Sequence, residues 1–305
     1  MAVRRCSQCG AEVVLADDRM STSCAFCDSP LVASDVVIET IDSVVPFDVT
    51  REQASDLLRA FLARQWFAPQ SVRNAAKAEA IDGVFVPFYR YEAHAQSDWS
   101  ARVGIHWYRT ETYTTRENGK TVTRTRVVQE TEWFPTTGTH NKHWFDHLVS
   151  ASRGLVEADS NALEPYDLGR AMPWTEALVA GVAAEIPTVS QDEAKRVAHA
   201  ELEKRELEEI AENLLPGDVY GDLEAKTELK IHAIRLSLLP VWVASVRGPQ
   251  GPLRLLVNGQ TGEVAGTVPR SWAKVGCAVA AIVLLAGSVV FAAALCSGLM
   301  AAVSR

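Results

Sequence analysis

The first predicted helix follows from apolar residues that recur at helical spacing near residue 55. Thr50 and Gln53 form a capping box before these residues, and Pro69 follows them. The pattern predicts a helix over 50–67, whose apolar face packs in the core. That face carries Ala54, Leu57, Leu58, Phe61 and Leu62.

A second helix is predicted in the other half of the chain. It begins at Ser190, with Glu193 as the capping partner, and stops at the sequence PGD. Its outer face, ELEKRELEEIAE, holds six acidic and two basic residues, which predicts a solvated surface. Its apolar positions are Leu207, Ile210, Ala211 and Leu214.

Each predicted helix is followed by an extended run that contains a proline and aromatic residues. These runs are VFVPFYRYEAHA from Val84 and LSLLPVWVASV from Leu236. A helix-then-hairpin unit therefore occurs twice. We expect an α+β fold with an N-terminal zinc ribbon, two small helix-plus-antiparallel-sheet units and a C-terminal transmembrane helix.

The clearest hairpin signal is Asn118-Gly119 between two alternating runs, which predicts a long β-hairpin over 107–130. Six basic and two acidic residues lie between Arg102 and Arg126. We interpret the arm as a solvated hairpin, with binding of anionic lipid or an acidic partner as the alternative. Pairing outward from the turn sets Glu117 against Lys120, Tyr113 against Arg124, Glu111 against Arg126 and Trp107 against Glu130.

Residues 275–303 contain no charged side chain, and a bilayer core needs about 20 helical residues. This pattern predicts a single transmembrane helix. Arg270 and Lys274 precede it, and the N-terminus lacks the apolar stretch of a signal peptide. We therefore expect a single-pass protein of the cytoplasmic membrane, with the bulk of the chain in the cytoplasm.

Four cysteines form two CxxC pairs near the N-terminus, separated by fourteen residues. Two such knuckles complete a tetrahedron of thiolates around Zn²⁺, and the filled ligand set predicts one structural ion. A thioredoxin-like redox pair is the weaker alternative, because a single CxxC is enough for it. The metal ligands are Cys6, Cys9, Cys24 and Cys27.

These elements predict the domain organisation of the chain. A zinc ribbon over 1–34 precedes a first α+β unit over 42–158. A second α+β unit over 159–268 and a linker over 269–274 precede the predicted span.

The sequence THNKHWFDH places His140, His143 and His147 at spacings of three and four. On a helix these imidazoles would share one face and make an open zinc site. However, Pro135 to Gly138 suggests a loop, and no motif names a base or a nucleophile. Polar or partly buried histidines are the simpler interpretation, and a hydrolase is a third functional class.

Charge and motif evidence narrows the function. The formal charge of −8 disfavours a broad phosphate-binding surface, since that requires clustered Lys and Arg. TRENGKT contains GKT, but Thr114 stands where a phosphate-binding loop needs its first glycine. We therefore predict no ATP hydrolysis.

Motifs along most of the chain resemble bacterial membrane-anchored zinc-ribbon proteins, often named primosomal-helicase-like or transcription-factor-like zinc-finger proteins. The first knuckle differs from the commoner CPxCG by having Ser7 and Gln8. Some members of that family resemble partners of SPFH (flotillin-like) scaffolds and membrane-stress effectors. The matching motifs are the knuckle at Cys6, VVPF at Val44, VPFYRYEAHA, the run from Trp133 to Asp146, LEPYDL at Leu163, LLPVWV at Leu238 and VNGQTGEVAG at Val257.

The resemblance implies a cytoplasmic platform at the membrane without catalysis. We therefore expect a tail-anchored adaptor or scaffold, not an enzyme, that binds protein partners at the inner membrane face, with SPFH-type or membrane-stress proteins among the candidates. The alternative is a membrane-tethered nucleic-acid binder that uses the ribbon and the basic hairpin.

Overall fold

The computed structural model describes residues 2–16, 19–27, 29–32, 41–74, 80–117, 120–248 and 251–280. The helices are α1 Arg51–Arg64, α2 Gln70–Asn74, α3 Glu157–Leu163, α4 Glu176–Val179 and α5 Gln191–Asn213, with a short 3-10 helix at Leu168–Arg170 and a further helical stretch at 272–280. The strands are β1 Ala2–Arg5, β2 Glu12–Leu15, β3 Arg19–Ser23, β4 Pro30–Val32, β5 Ile41–Val44, β6 Ala80–Glu117, β7 Lys120–Ser150, β8 Met172–Pro173, β9 Ala183–Glu185, β10 Val219–Gly248, β11 Gly251–Asn258 and β12 Val264–Ala265.

Both predicted long helices form, and their first turns match the capping signals. The Gln53 amide donates to Thr50 Oγ1 at 3.3 Å, and the Thr50 amide donates to Gln53 Oε1 at 2.8 Å, which completes the capping box of α1. In α5 the Glu193 amide donates to Ser190 Oγ at 3.2 Å. These starts were predictable because a cap acts within a single turn.

Ten of the described strands form one mixed sheet, and β1 and β2 form a separate antiparallel pair. The longest path through the large sheet runs β12-β11-β10-β6-β9-β3-β4. Strand β7 joins β6, while β5 pairs in parallel with β10 and antiparallel with β8. This sheet contains strands from every part of the described chain except the first knuckle.

The predicted fold of two small helix-plus-sheet units with a C-terminal span is wrong. The two proline-containing runs were expected in separate units, yet they pair antiparallel with each other, with Val86 opposite Leu239 and Pro87 opposite Leu238. Two strands with the same alternation of side chains can pair with each other. The two similar runs therefore form neighbouring strands of one sheet, and do not each begin a separate sheet.

Strand β6 passes through three environments. Near its start, Val84, Phe85 and Val86 are all buried, as in a central strand that is covered on both faces. From Tyr91 to Val103 alternate residues are buried on one face, which carries α5 over part of its length. Strand β10 pairs with β6 only as far as Gly104. Beyond that point β6 and β7 continue as a two-stranded arm.

The predicted cross-strand register of the hairpin is confirmed, although the hairpin is much longer than 107–130. The four predicted pairs are all present, and pairing continues to Phe88 opposite Ser150. Asn118 and Gly119, on which the prediction was based, lie outside the described residues. The alternation of polar and apolar residues sets this register, because a slip of one position would reverse every side chain.

The predicted membrane span is contradicted. Within the part of the chain that the structure describes, no helix is both long and apolar enough to cross a bilayer, which takes about 20 residues. The described helical stretch covers only 272–280, and the remainder of the predicted span lies outside the described residues. This finding also contradicts the two predictions that depended on the span, namely the membrane as a partner and the single-pass membrane localisation.

Candidate metal centre and protein-binding edge

The four predicted ligand cysteines come together. Their sulfur atoms all lie within 4.8 Å of one another, and they could hold a metal ion. Cys6 Sγ lies 3.7 Å from Cys27 Sγ, and Cys9 Sγ lies 3.7 Å from Cys24 Sγ, too far apart for a disulfide bond. Gly10, directly after the first CxxC, has φ of 75°, a left-handed conformation that glycine adopts without strain.

Ser29 is a polar neighbour of this cluster that the sequence pattern did not reveal. Its hydroxyl lies 3.0 Å from both Cys6 Sγ and Cys27 Sγ. The Ser29 contact, helped by the Cys9 amide, lowers the pKa of Cys6 to about 6, and the same hydroxyl lowers the pKa of Cys27. Although the Ala11 amide opposes it, the contact with Cys27 raises the pKa of Cys9 to about 12, so within the cluster the thiolate form is favoured at Cys6 and Cys27 and disfavoured at Cys9.

The second knuckle is attached to the main sheet through β3. Strand β3 pairs with β9, and Met20 on β3 is buried in the core that lies between the sheet and α5. The Ser21 hydroxyl donates to the carbonyl of Val182 at 2.6 Å. The cysteine cluster therefore links the β1–β2 pair to β3, which is itself part of the large sheet.

The three histidines predicted to share a helix face lie on strand β7 instead. His140 faces α5, while His143 faces the opposite side, because successive strand residues alternate. Between Trp144 and His147, β7 has one residue more than β6, and Asp146 there has φ of 54°. This bulge turns His147 back towards α5, so the three imidazoles do not form one site.

A buried polar network connects α5 to the sheet at Glu206, whose side chain is fully buried. Its carboxylate accepts hydrogen bonds from Ser97 Oγ at 2.9 Å and Trp144 Nε1 at 3.0 Å, and lies 2.5 Å from His140 Nδ1. The prediction of a solvated outer face is wrong at this residue. The sequence does indicate this burial, because Glu206 is four residues after Leu202 and four before Ile210, and residues at that spacing share one face of a helix.

A second cluster lies where α3 meets α5. His147 is buried, and its Nε2 lies 3.2 Å from Glu201. Burial, together with the nearby charges of Glu201 and Glu164, raises the pKa of Glu157 to about 7. Burial also raises the pKa of Glu164, against the opposing effect of Arg205. This end of the helix pair is therefore sensitive to pH near neutrality.

The outer edge of β7 is the longest free strand edge in the described part of the chain. Strand β7 is 31 residues long and pairs only with β6 among the strands that the structure describes. Pro135 lies within it, which corrects the predicted loop. Because proline has no amide hydrogen, Pro135 must direct its nitrogen away from β6. By the two-residue period, the amides of Thr137 and Thr139 also point outward.

The arm beyond Gly104 is less basic in the structure than its sequence window indicated. Arg126 contacts Glu111 at 2.8 Å, and Arg109 contacts Glu130 at 2.5 Å. The arm does not include Arg102, and it extends to Glu130 and Glu132, so five basic residues stand beside four acidic ones. The arginines of these pairs are neutralised within the arm itself.

Comparisons with known proteins add one distant relative. The chain is 24% identical over 238 residues to a protein of Bacillus subtilis (strain 168) whose name reads uncharacterized protein YdjG. The match covers 76% of this chain and 64% of that relative, so the chain spans less than two thirds of the relative's length. No family model matches the chain, and no solved structure matches it significantly. The zinc-ribbon resemblance stays an expectation.

Proposed function

We propose that this chain is a zinc-containing adaptor without catalytic activity, which binds an extended segment of a protein partner along the outer edge of β7. The free edge of β7 is the observation that carries this proposal. An exposed strand edge presents unpaired amide and carbonyl groups to which another strand can add.

The composition of the edge supports a protein strand as its ligand. Natural proteins protect exposed edges with charged side chains, prolines and bulges. Positions 133–141 contain no Asp, Glu, Lys or Arg, and Pro135 is the only proline among them. This stretch can pair with a partner segment of similar length, whose side chains alternate between the two faces of the sheet.

The metal has a structural role in this proposal. Four sulfurs bound at about 2.3 Å to a tetrahedral zinc ion lie about 3.8 Å from one another. The two sulfur pairs at 3.7 Å fit this arrangement. Four cysteine ligands leave no position open to substrate, so zinc would hold the β1–β2 pair beside β3 and take no part in a reaction.

The adaptor proposal is tested with two substitutions at one residue. Thr139→Pro removes an outward amide, and Gly138 before it has no Cβ that would clash with the proline ring. Thr139→Ala keeps the amide and is the matched control. After in-cell cross-linking of the full chain, we expect specific partners to be kept by Thr139→Ala and reduced about tenfold by Thr139→Pro, since lost backbone bonds weaken strand addition.

Circular dichroism must show that both variants fold. If folded Thr139→Pro recovers the same partners as Thr139→Ala, the edge does not bind them and the proposal fails. Nucleic-acid binding is tested separately by gel shift at low salt. Binding that weakens steeply with salt and is lost in Arg124→Glu and Arg126→Glu would favour that function instead.

A further inference from the structure

Three histidines from three adjacent strands meet on the face of the sheet opposite α5. His94 of β6 lies directly across from His143 of β7, and their ring centroids are 6.1 Å apart. The ring of His232, from β10, lies 5.7 Å from the ring of His143. His232 occupies a register shift between Ile231 and Ala233. Neither His94 nor His232 belongs to the THNKHWFDH cluster.

The three rings are accessible and chemically unengaged. His143 and His232 are exposed, and His94 is partly exposed. No hydrogen bond to another described residue engages these imidazoles, although the ring of Phe145 stacks on His143 at 4.3 Å. Their nitrogens are therefore available to a ligand from solvent.

We propose that His94, His143 and His232 bind one divalent transition-metal ion of the Zn²⁺ class. Imidazole is a preferred ligand of such ions. Two imidazoles bound at about 2.0–2.1 Å to a tetrahedral ion have centroids about 5 Å apart. The rings of His232 and His94 lie 5.7 and 6.1 Å from the ring of His143, so each must move closer to it by about 1 Å. Rotation of the histidine side chains on rigid strands supplies that movement.

The charges around the three histidines do not oppose a cation. Lys230 lies opposite His94 and is paired with Glu228 at 3.2 Å. Arg235 is paired with Glu92 at 2.6 Å. Three histidines leave a fourth position open to water or to a ligand, unlike the filled set of four cysteines. The two sites therefore differ in both ligand type and coordination.

Zinc titration of the full chain tests this site. With the cysteine cluster already loaded, we expect calorimetry to detect a second Zn²⁺ per chain. His143→Gln should abolish this second binding, because His143 contacts both other rings. His94→Gln and His232→Gln should each weaken it by about tenfold or more. The binding should also weaken in acid, because imidazole ligands must be neutral.

His199→Gln is the matched control, because His199 is an exposed histidine on α5 that pairs with Glu203. It should leave the second ion bound, and so should Cys6→Ser, since the two sites share no residue. Absence of a second ion in the wild-type chain overturns the proposal. Retention of that ion in all three folded histidine variants also overturns it, because the ion must then lie elsewhere.

Discussion

Trp144 on β7 donates its indole Nε1–H to the buried carboxylate of Glu206 on α5, at 3.0 Å. The bond spans the interface between the helix and the edge strand. Buried polar groups are costly when they lose their partners, so this contact fixes how α5 lies on the sheet. It also holds in place the strand whose free edge we propose to bind a partner.

Replacing Glu206 should therefore destabilise the protein. Glu206→Leu leaves His140 and Trp144 without this acceptor, whereas Ser97 keeps its contact with Thr227 at 2.9 Å. We expect the free energy of unfolding to fall by about 1–3 kcal/mol for each group left unsatisfied. Urea unfolding followed by tryptophan fluorescence measures this change. Glu208→Leu is the control, since Glu208 is exposed and pairs with the exposed Lys204, so its effect should stay within about 0.5 kcal/mol. Equal effects would show that the network contributes nothing.

Gly138 should not tolerate a side chain. It lies opposite Trp99, and a Cβ at this position would come within 2.5 Å of the indole ring. Trp99 is buried, so Gly138→Ala must displace it, at a cost of about 1–3 kcal/mol in thermal or urea unfolding. Gly276→Ala is the contrast, since nothing lies within 4 Å of its Cβ. Full stability of Gly138→Ala would contradict this packing.

Stability should fall as pH rises through neutrality, because of Glu157. Its pKa is raised from 4.5 to about 7 on folding, so the folded state holds the proton more tightly than the unfolded state. The resulting stabilisation is complete below pH 4.5 and is lost as pH approaches 7. Glu157→Gln should therefore unfold at higher urea than the wild type at pH 8, and lose that advantage at pH 5.

The control for this pH effect is Glu212→Gln, at an exposed position on α5. It should leave the difference between pH 5 and pH 8 unchanged. An unaltered pH dependence in Glu157→Gln would show that another group is responsible.

Loss of one cysteine ligand should release the metal of the ribbon. In the cobalt-substituted protein, Cys24→Ser should remove the thiolate charge-transfer absorption, because among the described residues the cysteine cluster is the group of sulfurs placed to bind a metal ion. Limited proteolysis within residues 1–32 should become faster, since metal binding contributes to folding of such knuckles. Cys277→Ser, which changes an exposed cysteine outside the cluster, should retain the absorption. Equal spectra for both variants would contradict the assignment.

Features that depend on neighbouring residues were predictable. The caps at Thr50 and Ser190 form within one helical turn, and the two CxxC pairs each form within one knuckle. The hairpin register follows from the alternation on both sides of one turn, so Glu111 faces Arg126 as expected. In each case the interaction forms within one turn or one continuous hairpin, so the local order of residues is enough to predict it.

The remaining features depend on which distant segments meet. The residues of a strand do not specify which other strand it will pair with. The local sequence therefore did not show that β6 would pair with β10. The spacing of His140, His143 and His147 fits one helix face, but alternation and a bulge on β7 separate them. The burial of Glu206 and the meeting of His94, His143 and His232 follow from the same sheet. The local sequence is compatible with several strand pairings and several positions of these side chains. Tertiary packing decides between them, because its free energy is gained only when whole strands and helices pack together.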